Sequence, residues 1–440
     1  MLLKEIKDTN FIELLKGSSI SFLLRVVGML FGYLAMFFTT NIYGSDAWGI
    51  HALCFTILGL LTLIPKFGFE NSLIRIVTEL NLSAKSEIVS VFKKAIVISV
   101  SLALIVTLTT YFSSHYVISN FSEKHQILPF IKTICIVIIP STILAVISAY
   151  FQALKKIAKH ILFHTTAINI IFFVLLLCFY FFNIELAVFE TYVMAIFITF
   201  LIALYYFFYS LKSKNKSDIE NEERTLLTRY NYKSITKTSF PMLLSTSFAL
   251  LMGWSDVIIL SIYNTASDLG IYDTTLKLSA LSGIFLISVN SIAAPKFVEF
   301  YSKSNINGLK ETVQKSTKLI FITTTPVLVI LVLFSKTILG FFGDEFVLGY
   351  FALTVLCVSR FINAISGSVG YIMQMTDHQT LYQNVIITAF FLNVILNFIL
   401  IPQYGINGAA IASSIAMTFW NITLVVIIKR KLGFWTMMSF

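Results

Sequence analysis

Residues 18–51 read SSISFLLRVVGMLFGYLAMFFTTNIYGSDAWGIH, and this stretch decides the fold. Its small and polar residues recur every three or four positions, at Ser18, Ser21, Arg25, Gly28, Gly32, Ala35 and Thr39. Phe22, Leu23, Leu24, Val26, Val27, Leu30, Phe31, Leu34, Phe37 and Phe38 fill the places between them. A period near 3.6 divides one helix into a bulky apolar face and a narrow, slightly polar one. At about 23 residues the helix is long enough to cross a bilayer, with the apolar face toward lipid. The narrow face, with Arg25 on it, must look at protein or water.

The pattern returns 221 residues later. Gly28, Gly32 and Gly49 fall on Ala249, Gly253 and Gly270, and Tyr150 falls on Tyr371. The turn Ile42-Tyr43-Gly44-Ser45-Asp46-Ala47-Trp48-Gly49-Ile50 reads against Tyr263-Asn264-Thr265-Ala266-Ser267-Asp268-Leu269-Gly270-Ile271. One offset held over more than a hundred residues implies two structural repeats, each about half the chain. The expected division is a six-helix bundle over 1–210, a linker over 211–237 and a second six-helix bundle over 238–440.

Composition fixes the class. The 440 residues are 57% hydrophobic, with 42 Phe, and only 12% are charged; the mean hydropathy is +0.85. A water-soluble chain could not cover that much apolar surface, so the expected fold is an all-α polytopic membrane protein. Twelve spans can be counted. The first six are Ser18–Thr40, Trp48–Pro65, Ala95–Phe112, Ile131–Phe151, Ile161–Phe182 and Leu186–Tyr209. The second six are Phe240–Tyr263, Tyr272–Pro295, Thr317–Phe334, Phe346–Met373, Asn384–Ile401 and Gly408–Ile428. The stretch after Phe346 is longer than one crossing needs and is expected to tilt or kink near Gly367 and Gly370. Pro140, Pro326 and Pro402 are expected at kinks or ends.

Placing both termini in the cytoplasm puts 26 of the 32 Lys and Arg on that side and only Lys124 and Lys336 outside. That asymmetry is a positive-inside signal. It also accounts for the net charge of +10 without nucleic acid, since these cations flank membrane helices and face anionic lipid. The four cysteines stand far apart inside apolar runs, with neither disulfide nor metal spacing.

Charges inside a membrane are costly and therefore suspect. Arg25 lies eight residues into the first span, roughly 12 Å deep at 1.5 Å per residue; it serves a cavity, snorkels to the surface or pairs structurally. Arg360 is the deepest cation, with Asn363, Ser366 and Ser368 near it, and it faces either a substrate path or a structural partner. Asp256 shares the narrow face of the seventh span with Ser245, Ala249 and Gly253, and Lys277 lies a few residues into the eighth, so an Asp256–Lys277 ion pair is one expectation. Glu70 and Arg75, in Phe67-Gly68-Phe69-Glu70-Asn71-Ser72-Leu73-Ile74-Arg75, sit at the inner mouth, where they capture an anion or form a solvated junction. Gly28-Met29-Leu30-Phe31-Gly32 is a GxxxG and signals close helix packing. Paired carboxylates, a nucleophile with its base, a Walker loop and clustered metal ligands are all missing from the sequence, so no enzyme is expected and no cofactor is called for.

Several stretches resemble the Wzx-type polysaccharide flippases, the O-antigen and capsule-repeat transporters of the multidrug/oligosaccharidyl-lipid/polysaccharide exporter superfamily. They are the Gly-Phe-Glu-Asn-Ser-Leu-Ile-Arg run after the second span, Asp256 with Gly270-Ile271-Tyr272 and Lys277, and Ile401-Pro402-Gln403-Tyr404-Gly405-Ile406-Asn407-Gly408-Ala409-Ala410. The resemblance implies a bacterial inner-membrane protein whose two bundles form a V around a central cavity and alternate access. It would carry an undecaprenyl-pyrophosphate-linked oligosaccharide from the cytoplasmic to the periplasmic leaflet, beside polysaccharide assembly machinery. On this view Arg25, Lys277, Arg360 and Arg75 are candidates for the pyrophosphate and sugar path, and Asp256 for coupling to H+, Na+ or the membrane potential. Two rivals stand beside it: a multidrug or organic-cation antiporter of the same superfamily, and a membrane polymerase or glycosyltransferase. The cationic lean of the intramembrane charges opposes the first, and the short external loops oppose the second.

Overall fold

The computed structural model describes residues 9–80, 85–121, 128–154, 156–212 and 231–437, and these are helical almost throughout, with no strand among them. The helices are α1 (Thr9–Lys66), α2 (Phe69–Leu80), α3 (Lys85–Phe121), α4 (Leu128–Ala153), α5 (Ile157–Ile161), α6 (Ala167–Phe181) and α7 (Val188–Lys212). After the linker come α8 (Tyr232–Tyr263), α9 (Ala266–Ala280), α10 (Gly283–Ser302), α11 (Ile306–Leu333) and α12 (Ser335–Gly340). Then follow α13 (Tyr350–Ser366), α14 (Val369–Met375) and α15 (Gln379–Leu432). Eight segments of the described chain are long and apolar enough to cross a membrane, and the shorter apolar run Leu250–Tyr263 lies within α8. The protein is an all-α polytopic membrane protein.

Glycine, rather than proline, breaks the long helices. α1 changes direction at Gly44 (φ 80°, ψ 178°) and α15 at Gly405 (φ 54°, ψ −129°), left-handed positions that a Cβ disfavours. The chain between α13 and α14 turns at Gly367 (φ 74°), as expected for that over-long stretch. Pro140 and Pro326 instead lie inside α4 and α11, and Pro402 precedes the Gly405 break by three residues. A lost backbone hydrogen bond is tolerated in a packed bundle, whereas a positive φ reverses the chain.

Two compact units emerge. The first takes Met1–Thr39 and Cys54–Ser247; the second takes Thr40–Leu53 and Phe248–Phe440. These bounds shift the expected halves in two places. The boundary falls inside α8, because no break interrupts that helix between Tyr232 and Tyr263. Its first turns pack within the first unit, where Ser239 donates to Ser72 (2.7 Å) and the backbone at Leu243 and Ser239 closes on Gly68. The hairpin Thr40–Leu53 in turn clusters with the second unit. Residues 213–230, most of the expected linker, lie outside the described residues.

In the first unit the apolar face of α1 is open at Leu23, Leu30 and Phe37, while Gly28, Ala35, Met36 and Thr39 are buried. Gly28 and Gly32 do what their spacing suggests. A Cβ on Gly28 would stand 2.8 Å from Thr166 Oγ1, and one on Gly32 would stand 3.1 Å from Asn169 Nδ2. Both partners donate to α1 carbonyls, Thr166 Oγ1 to Leu24 O (2.9 Å) and Asn169 Nδ2 to Gly28 O (2.9 Å). A single π turn, Leu162–Thr166, sits between α5 and α6 just before this contact.

In the second unit the two turns related by the 221-residue offset meet each other. A Cβ on Gly49 would lie 1.7 Å from Ala266 O, and one on Gly270 would lie 2.3 Å from Ser45 O. Only glycine permits backbones that close. Hydrogen bonds hold the hairpin there, among them Asn41 Nδ2 to Phe341 O (2.9 Å), Ser45 N to Glu345 Oε1 (2.7 Å), Ser45 Oγ with Ser267 Oγ (2.5 Å) and Trp48 Nε1 to Asp273 Oδ2 (3.0 Å). Thr265 and Asp268 form a reciprocal capping box that starts α9.

Candidate functional site

Three constellations in the second unit bring polar residues together in its interior. The first surrounds Asp256, which is buried on α8. Tyr272 Oη from α9 donates to its Oδ2 (2.8 Å), Asn397 Nδ2 from α15 donates to its Oδ1 (2.6 Å), and the Ser413 hydroxyl makes a short bond to Oδ2. Asn393 extends the network: its Oδ1 accepts from Ser255 Oγ (2.7 Å) and Asn397 Nδ2 (3.1 Å), and its Nδ2 donates to Ser413 Oγ (3.2 Å). Asn393 and Asn397 stand one turn apart on α15, so the two amides share a face. Asn397 Oδ1 is buried beside them without a partner. The group therefore gathers a carboxylate and amide and hydroxyl oxygens, the hard-oxygen chemistry that suits a proton or a small cation.

The second constellation corrects the expected Asp256–Lys277 pair. Lys277 bonds Asp273, one turn back on α9, at 2.6 Å, and its ammonium lies 4.3 Å from the centre of the Trp48 ring. An i,i+4 partner on the same helix requires no approach of a second element, which is why it wins. Asp273 also takes the Trp48 indole N–H, and Trp48 packs against the buried His51 with ring centres 4.9 Å apart. Lys277 remains 40% exposed, so the cation is both fixed and reachable.

The third is a cavity of about 220 Å³ enclosed by α10, α13, α14 and α15. Arg360 lines it, together with Asn363 and Ser368, two of the neighbours its sequence position suggested; Ser366 instead is buried and bonds Ile362 O. Asn290, Trp420 and Asn421 complete the polar wall, and Asn363 Nδ2 donates to Asn421 Oδ1 (2.9 Å). The turn at Gly367 forms one edge, where a Cβ would stand 2.1 Å from Thr317 Oγ1. No carboxylate is among the described residues that line this hollow. Charge singles out Arg360 in the sequence; Asn290 and Trp420, which line the same cavity, carry none and have no such signal.

In the first unit Arg25 is exposed on α1, at the edge of the packed stripe rather than within it. It contributes to the electrostatic surroundings of His160 and His164, which also feel Glu70. Glu70 pairs with Lys66 at 3.5 Å. Burial pushes the Glu70 carboxyl up, but Lys66, with His164 and His160, outweighs that and holds it below the usual carboxylate range. The helix α2 carries Arg75, whose side chain lies outside the described residues. The structure thus keeps Arg360 and Lys277 in separate settings of one unit, with Arg25 in the other.

The fold is shared with solved membrane transporters. It is similar to the lipid II flippase MurJ in an inward closed conformation, with a TM-score of 0.72 at 15% identity over 94% of this chain and 87% of that one. It is also similar to an inward-facing multidrug resistance MATE family transporter of the MOP superfamily, with a TM-score of 0.65 at 13% identity over 94% and 98%. A sequence model of the polysaccharide biosynthesis protein family matches residues 14–301, well over half the chain, and the chain belongs to that family. The MatE family matches residues 241–399. Among relatives, a probable low-salt glycan biosynthesis flippase, Agl15, of Haloferax volcanii is 28% identical over 37% of this chain. The probable flippase AglR of the same organism is 26% identical over 39%. The chain spans only 35% and 37% of the length of these two relatives. An uncharacterized membrane protein of Methanocaldococcus jannaschii is 23% identical over 91% of this chain and 95% of its own length.

Proposed function

We propose that this protein is a flippase for a lipid-linked oligosaccharide, a transporter and not an enzyme. The observation that carries the reading is the polar cavity of the second unit, where Arg360 stands among neutral amides and aromatic rings. A phosphate-linked glycan needs donors, one or more cations and aromatic surface, and it needs them shielded from hydrocarbon. A cation antiporter needs acids in that place. Membership of the polysaccharide biosynthesis family and the flippase names of the Haloferax relatives support the same reading.

In its finer form the cargo is an undecaprenyl-pyrophosphate-linked repeat unit of the O-antigen or capsule type, in a bacterial inner membrane with both termini cytoplasmic. Twelve crossings, alternating access and contact with the polysaccharide assembly machinery belong to the same proposal. Arg25, Lys277, Arg360 and Arg75 serve the path of the phosphates and sugars, and the polyprenyl tail stays in lipid. Asp256 with Asn393, Asn397 and Ser413 serves as the coupling site for a proton or sodium ion.

The test is genetic and chemical. Cells lacking the chain are re-supplied with wild type or Arg360→Ala at matched protein levels, and lipid-linked oligosaccharide and surface polymer are measured. The expected result is intracellular accumulation and loss of surface polymer in the null, restored by wild type and not by the variant. Unchanged polymer in the null, with altered efflux of cationic dyes, would replace the flippase by the antiporter.

A further inference from the structure

The wall of the Arg360 cavity leaves polar atoms unanswered. Asn290 is completely buried on α10, and neither its Oδ1 nor its Nδ2 has a hydrogen-bond partner. Trp420 Nε1 and the buried Ser368 hydroxyl are also without partners, and all three side chains line the hollow. An unmet buried polar group costs about 1–3 kcal/mol, and the three side chains that carry these four atoms all border one space, which marks a place kept for something that bonds them. The space of about 220 Å³ is of the size to take one six-membered ring with its substituents.

The chemistry of the unmet atoms narrows the occupant. An oxyanion only accepts; it would answer Trp420 Nε1 and Asn290 Nδ2 but oppose Asn290 Oδ1. An ammonium only donates; it would leave Trp420 and Asn290 Nδ2 unmet and face the Arg360 guanidinium. A hydroxyl does both, and an array of hydroxyls answers all four atoms. Tyr371, Tyr382 and Trp420 add aromatic rings to the same wall, a surface that suits the C–H face of a pyranose. Water would meet the amide atoms equally well, yet it has no use for three aromatic rings.

We infer that this cavity is a subsite for one sugar ring of the transported glycan. Asn290, Ser368 and Trp420 bond ring hydroxyls, Arg360 bonds a further oxygen, and the aromatic rings cover the carbon skeleton. The inference rests on the flippase reading for the source of the sugar, and it assigns the glycan a place within the second unit.

The experiment uses the full chain in lipid nanodiscs and saturation-transfer NMR with methyl β-glucoside, methyl β-glucuronide and methyl β-N-acetylglucosaminide. At least one glycoside should receive saturation, and the signal should fall at least fivefold in Asn290→Ala and at least twofold in Trp420→Phe. Trp420→Phe keeps a ring and loses only the N–H, so it answers for any folding defect of the smaller side chain. Inorganic phosphate at equal concentration should leave the signal in place. Saturation of no glycoside, a signal unchanged in both variants, or displacement by phosphate would overturn the subsite. A parallel assay of lipid-linked oligosaccharide crossing separates the two claims. Crossing without glycoside binding removes the subsite alone, and glycoside binding without crossing removes the flippase reading alone.

Discussion

The second unit contains two polar interiors built on opposite terms. Around Asp256 nearly every donor has an acceptor, with three bonds to one carboxylate from α9 and two points on α15. Around Arg360 the wall of the cavity keeps Asn290, Ser368 and Trp420 unmet and leaves about 220 Å³ of space. The hairpin contact of Gly49 with Ala266 and Gly270 is more closed still, with no room for a single methyl group. Filled regions of a bundle set its geometry, and hollow regions do its binding. Substitutions should therefore divide the same way: those in filled regions cost stability, and those in the hollow cost transport.

The largest effect falls on the hairpin. Gly49→Ala places a Cβ 1.7 Å from a backbone oxygen, which no rotamer can relieve. Overpacking costs typically 1–3 kcal/mol and here should reach about 3 or prevent folding. Thermal unfolding of purified protein reads this directly. A midpoint unchanged from wild type would mean that the two turns do not meet in the membrane.

Next comes Asp256→Asn. The shape is kept, but an amide N–H₂ now faces hydroxyl and amide donors, and about 1–3 kcal/mol should be lost. If the carboxylate also couples transport to an ion, crossing should lose its dependence on the proton or sodium gradient. Full dependence with a lowered unfolding midpoint would leave Asp256 as a structural residue only.

What the sequence shows of each region depends on the residues that build it. The close contact of the two turns left a trace in the sequence, because Gly49 and Gly270 stand at one offset in matching segments and the structure makes those two glycines neighbours. The GxxxG at Gly28 and Gly32 was legible for the same reason, since close packing leaves small residues at a fixed period. Asp256 was visible as a charge within an apolar run, but two of its three partners lie 141 and 157 residues away, and no local spacing carries those. Proximity in sequence suggested Lys277 instead, and Asp273 was overlooked because an i,i+4 acid attracts little notice. Asn290 and Trp420 escaped altogether: a neutral side chain in a hydrophobic helix has no pattern to betray an unmet hydrogen bond.

Asn290→Leu tests the hollow in the opposite sense. Replacing unmet polar atoms by an apolar group of similar size can be neutral or stabilising, so stability should hold or rise by up to about 1 kcal/mol, read as an unchanged or slightly higher unfolding midpoint. Delivery of lipid-linked oligosaccharide should nevertheless fall at least tenfold. A stability loss as large as that of Asp256→Asn would show that Asn290 is bonded in the membrane, and the contrast between the two interiors would collapse.

The smallest expected effect lies in the first unit, at the Glu70–Lys66 pair. Glu70 keeps 37% of its side chain open, so solvent screens the attraction and only a modest contribution remains. Its carboxyl is held below the usual range, so the folded state binds the proton less readily than the unfolded chain does. The stabilisation is then fully present above the ordinary carboxylate value and disappears as the pH falls through the folded one. The unfolding midpoint of wild type minus that of Glu70→Gln, followed from pH 7 down to pH 3, should start positive and shrink toward zero. High salt should flatten the same curve, since the attraction is between partly exposed charges. A difference that stays constant through the acid range would place the contribution of Glu70 in packing rather than in charge.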